Sequence, residues 1–132
     1  VLHLLTLDER KNFYHDINNN INEDAHIVFI HMNNQTEIPL FPLMKNKLNQ
    51  SLKIHQLLLE ELTHNFNLLK FENFNYNVKI SLEEYVDMIR NRYMTILLDL
   101  SENEIEEGID FIKNNYTNHL VFQDTLTIKV FN

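Results

Sequence analysis

The stretch Leu120-Val121-Phe122-Gln123-Asp124-Thr125-Leu126-Thr127-Ile128-Lys129-Val130 decides how this chain is read. Its apolar residues Leu120, Phe122, Leu126, Ile128 and Val130 share one parity, the signature of a strand whose alternate side chains face one side of a sheet. Asp124 breaks the alternation, which predicts either one long irregular strand or a bulged pair there. Two further strand-like segments lie upstream. Leu68 to Ile80 alternates loosely through Leu69 and Phe71, then Phe74, Tyr76 and Val78, while Ala25 to Met32 (AHIVFIHM) is a short apolar run that reads as a buried strand.

Helical spacing fills the intervals. Thr6 with Glu9, Ser81 with Glu84 and Ser101 with Glu104 each fit a capping box, in which hydroxyl and carboxylate satisfy free helix amides reciprocally. The first box opens a helix carrying Leu7, Phe13, Tyr14, Ile17 and Ile21. A second helix is expected from about Ser51 to Asn65, after a loop from Gln35 to Pro42. The third, about Leu82 to Leu98, presents Leu82, Tyr85, Val86, Ile89, Tyr93, Ile96 and Leu97 on one stripe, and a short fourth runs from Glu102 to about Asn115. Alternating helices and strands imply an α/β domain with a parallel or mixed sheet and helices on its faces. Residues 1–132 suffice for one such domain and not for two.

Composition excludes several function classes. The chain has 132 residues, 44% hydrophobic and 23% charged, as in ordinary globular proteins. With no cysteine there is no disulfide framework, no thiolate nucleophile and no zinc–cysteine site. A net charge of -8 with scattered Lys and Arg argues against a nucleic-acid footprint. Apolar runs of a few residues cannot span a bilayer, and Val1-Leu2-His3-Leu4-Leu5 has no basic n-region, so no signal peptide is read and a cytoplasmic location is expected. Gly108 is the only glycine, so no glycine-rich phosphate or dinucleotide loop can be built here.

Candidate chemistry is sparse. His26 and His31 sit five apart on one expected strand, and His55 and His64 nine apart on one helix; neither pair shares a face, so no metal site is expected. The acidic run Glu102 to Glu107 complements the dipole of its own helix start. Arg92 falls at the boundary of the third helix's apolar stripe, with Arg90 on the other flank. From that place Arg92 can hold a carboxylate in a cleft, or it can pair with an acid on the next helix.

Three segments together resemble the C-terminal part of small-molecule class I S-adenosylmethionine-dependent methyltransferases. They are Ser81 to Thr95 with its Arg90-Asn91-Arg92-Tyr93-Met94-Thr95 core, Leu100 to Ile109 ending in Glu107-Gly108-Ile109, and Phe122-Gln123-Asp124-Thr125-Leu126. Val1-Leu2-His3-Leu4-Leu5 is similar to the family's stretch after its fourth strand, and Asn22-Glu23-Asp24 stands where the family has a Pro-Gly-Gly turn. The resemblance implies the substrate-side half of a Rossmann-like methyltransferase sheet, its last strand antiparallel and inserted between the other two. The half with the glycine loop and ribose-holding acid, hence with most of the S-adenosylmethionine site, would be a separate or preceding segment. His3 would lie near the cofactor, and Arg90, Arg92 and Tyr93 would belong to a lid over a small-molecule acceptor, anionic if the two arginines hold it. No general base is assigned, and the chain alone is expected to be inactive. The competing expectation is a degenerate methyltransferase-like scaffold or activating partner.

Overall fold

A computed structural model describes residues 2–22, 24–33 and 36–132. Val1, Glu23 in the expected turn, and Asn34 and Gln35 at the expected loop start lie outside the described residues. Among the described residues, four helices and three strands follow in the order α1 (Leu7–Asn20), β1 (Ile27–Met32), α2 (Pro42–Asn65), β2 (Leu68–Ser81), α3 (Leu82–Arg90), α4 (Glu102–Asn115) and β3 (His119–Phe131). Short 3-10 turns occupy Leu2–Leu4 and Thr95–Leu97.

All three capping boxes form. The hydroxyls of Thr6, Ser81 and Ser101 accept from the amides of Glu9, Glu84 and Glu104, whose carboxylates accept from the cap amides in return. α2 begins nine residues before the expected Ser51, because Pro42 fits the first helical turn, where no amide hydrogen bond is lost. α3, by contrast, stops at Arg90 instead of running to Leu98. Arg92 adopts a left-handed φ of 54°, its amide bonds to Ile89 O, and Tyr93 N bonds to Met88 O. This pairing is the Schellman closure, with arginine in the place glycine usually takes.

The sheet order is β1-β3-β2. β3 pairs antiparallel with β1 in an unbroken register from Ile27↔Phe131 to Met32↔Leu126. On its other edge Asn67 and Asn132 exchange both backbone hydrogen bonds, Asn73 meets Thr127 and Asn75 meets Thr125. As one strand number rises the other falls, so this pair is antiparallel too. Both neighbouring pairs are therefore antiparallel, where parallel or mixed pairing was expected. β1 and β2 point the same way, with the last strand reversed between them, which is the insertion the resemblance implied.

The chain divides into two compact units: Val1–Met32, Leu52–Phe74 and Leu126–Asn132 form one, Asn33–Ser51 and Asn75–Thr125 the other. In the first, Tyr14, Leu62, Phe66 and Phe131 are buried together, with Ile27, Phe29 and Leu59 packed against them. That core covers only one face of its sheet. Ile27, Phe29 and His31 oppose Phe131, Lys129 and Thr127 on the covered face, so Val28, Ile30 and Met32 oppose Val130, Ile128 and Leu126 on the other. There Val28 and Ile30 are 56% and 57% exposed. Asn73 reaches Thr127 on the covered face, which turns Phe74, 55% exposed, to the bare one. The segment read as a buried strand is thus half-buried, and on one side only.

In the second unit Tyr85, Val86 and Ile89 of α3 are buried with Ile105, Ile109 and Ile112 of α4, and Phe41, Met44 and Leu48 add to that core. Gly108 has a packing cause. A Cβ on it would lie 2.7 Å from two ring atoms of Phe41, far inside the 3.5–4.0 Å of ordinary carbon contact. The buried positions of β3 also depart from the expected parity. Leu120 and Asp124 are buried, then Thr127 and Phe131, while Leu126, Ile128 and Val130 are half-buried.

Candidate functional site

The residues singled out as lid and acceptor-holding groups gather at the C-terminal end of α3, in the second unit. Arg92 is anchored rather than presented. Its Nη1 donates to the carbonyls of Leu97, at 2.5 Å, and Leu100, at 2.7 Å, and its Nη2 meets Glu102 Oε1 at 2.7 Å. Hydrogen bonds from a charged donor contribute about 1.5–3 kcal/mol each, and a left-handed backbone costs roughly 1–2. The side chain therefore outweighs the conformation that ends the helix. Arg90 is exposed and bridges Asp87 and Glu106, the latter by two bonds of 3.1 and 3.4 Å. Both arginines thus pair with acids of α4, which for Arg92 is the second of the two readings its helical position allows.

Tyr93 is placed differently. Its ring meets that of Tyr85 edge-on, 6.0 Å between centroids, with the hydroxyls 3.2 Å apart. Tyr85 is buried, and its hydroxyl donates to the Pro39 carbonyl. A phenol has one proton, so Tyr93 must be the donor to Tyr85. Tyr93 as a residue is 37% exposed, and with its proton given to Tyr85 its oxygen is left with lone pairs only. Burial raises both phenols above the usual tyrosine range, so they stay neutral at physiological pH. Tyr76 donates to the buried carboxylate of Asp124, a bond that, with some desolvation, raises its own ionisation to about 12. Asp124 is the residue that broke the alternation of β3. Its side chain also accepts from the Thr125 amide, so the irregularity in the pattern marked a satisfied buried acid. Tyr76 and Tyr85 escaped the sequence reading because an aromatic residue on an apolar stripe looks like core.

The expected cofactor-side residue, His3, belongs to the first unit. It is half-buried, with its ring edge-on to that of His55 at 5.3 Å. His31, at the carboxyl end of β1, makes a 2.8 Å Nδ1 hydrogen bond to the Met32 carbonyl, and burial lowers the pKa of all three rings. Testing pairs along one element could not find this group, because its members come from three elements. Among the described residues, no three His, Asp or Glu side chains are placed to hold a metal ion, and no helix is long and apolar enough to cross a membrane.

Elsewhere in the first unit, α1 is tied to α2. Arg10 grips Glu61 through two nitrogens, at 2.8 and 2.9 Å, and Tyr14 donates to the same carboxylate. The open groove beside them, about 610 Å³, is lined by Lys11, His15, Glu60 and His64 among others, a mixed set of charges that selects no ligand class. The constellation best suited to touch a small molecule is Tyr93 with Tyr85 behind it, and it can accept a hydrogen bond. No family model and no curated protein matches the chain.

Proposed function

We propose that this chain is the acceptor-side half of a class I S-adenosylmethionine-dependent methyltransferase, completed by a segment that carries the glycine loop. The observation that carries this reading is the strand order β1-β3-β2, in which the last strand runs reversed between two strands pointing the same way. The exposed Val28, Ile30 and Phe74 on the second face support it: a sheet apolar on both faces is one built to be covered on both. Tyr93 would face the acceptor as a hydrogen-bond acceptor. Its partner there is a donor group, an amine or hydroxyl, in place of the anion that two free arginines would have favoured. Catalysis in such a site comes mainly from holding acceptor and methyl sulfonium in line.

A second reading, a non-catalytic methyltransferase-like scaffold, is favoured by one feature. Arg92 is bonded to backbone carbonyls and Arg90 is paired with surface acids, so neither arginine is presented to an acceptor. Calorimetric titration of the 132-residue chain with S-adenosylmethionine separates the two when repeated with the upstream-encoded segment added. The enzyme reading expects no binding by the chain alone and micromolar binding by the pair. Micromolar binding by the chain alone, or none by the pair, would overturn it, the latter in favour of the scaffold.

A further inference from the structure

Three neutral imidazoles meet where the 3-10 turn Leu2–Leu4, the middle of α2 and the end of β1 come together within the first unit. The Met32 carbonyl can only accept, so His31 Nδ1 carries the proton and Nε2 is left as a lone pair. That Nε2 is buried and has no hydrogen-bond partner, and neither has the buried Nδ1 of His55. A proton added to either nitrogen would create a charge with nothing to accept its hydrogen bond.

The surroundings amplify that cost. His3 and His31 both act electrostatically on His55, and Lys129 acts on His31 from the facing strand. Every one of these is a cation or becomes one on protonation, and no carboxylate is among the groups acting on the three rings. The apolar neighbour Phe29, its ring 5.6 Å from His31, offers no compensation.

We propose that His3, His31 and His55 form a proton-operated release, in which mild acid detaches the 3-10 turn and α2 from the end of β1 and opens the first unit. The direction follows from linkage. Each ring is held below its ordinary value of 6.5 by burial first of all, so the unfolded chain binds more protons and stability is lost as pH falls below that value. Three rings acting together raise the unfolding constant by up to about a thousandfold per pH unit, one factor of ten for each proton taken up. The inference stands apart from the methyltransferase reading, since it concerns only the opening of this unit.

The test is urea unfolding of the chain between pH 7.5 and 5, read by circular dichroism, for the wild type and His55→Phe. The wild type should lose stability with a slope approaching three protons, and the variant should lose about tenfold less per pH unit. Ring-proton NMR on the wild type gives an independent readout that does not depend on the variant folding. The His3, His31 and His55 signals should shift together with loss of native amide signals from residues 2–22. A flat stability profile, or three rings that titrate at 6.5 or above in an intact fold, overturns the proposal.

Discussion

Gly108→Ala should destabilise the protein, although alanine is the better helix former. Gly108 lies inside α4, where propensity alone would return about 1 kcal/mol on replacement. Against this, the new methyl carbon would meet Phe41 Cε1 and Cζ at 2.7 Å and Cδ1 at 2.8 Å. The ring cannot swing aside, because Phe41 is only 2% exposed. Overpacking of a tight core costs roughly 1–3 kcal/mol. Three sub-van-der-Waals contacts on a fixed ring place this case at the upper end, which leaves a net loss of about 2 kcal/mol. With a urea slope of about 2 kcal/mol/M the midpoint should fall by about 1 M. Phe41→Leu in the same background separates steric cause from backbone cause. The double mutant should show a coupling of about 1 kcal/mol or more, because the leucine removes the ring atoms that the methyl strikes. An alanine variant as stable as the wild type would refute the account, and so would additive effects of the two substitutions.

Arg92→Ala should lower stability by about 2 kcal/mol in urea titration, since it leaves the Leu97 and Leu100 carbonyls without their charged donor; unchanged stability would return Arg92 to the candidate lid. Tyr93→Phe should leave the fold intact, because it removes a donor to a hydroxyl that already has Pro39 as partner. If the methyltransferase reading holds, it should also raise the acceptor KM in the completed enzyme while cofactor affinity stays constant. The Arg10 bond holds the Glu61 carboxyl below its ordinary value near 4.5. Its stabilisation is therefore complete above that value and lost as pH falls through the lower folded one, so Glu61→Gln should flatten the acid limb of a thermal unfolding profile. Ser101→Ala should cost about 1 kcal/mol through loss of the cap on α4, checked by the urea midpoint.

What the sequence determined by itself is what short-range chemistry decides. A cap needs a hydroxyl and a carboxylate three residues apart, so Thr6, Ser81 and Ser101 announced three helix starts correctly. Period-two alternation marked β3, and the alternation of element types announced an α/β chain. Tertiary structure decided the rest, because each outcome depends on groups distant in sequence. α3 ends at Arg90 because Arg92 finds carbonyls at Leu97 and Leu100, and the apolar spacing of Tyr93 and Ile96 carries no trace of that. Gly108 is small because Phe41, far away in the chain, occupies its space. Asp124 is tolerated in a core position because Tyr76 of another strand satisfies it. The histidines likewise looked unrelated along each element, and only the packing of three elements brought His3, His31 and His55 together. Spacing along a helix or strand fixes which face a residue occupies, and the fold alone fixes what that face meets.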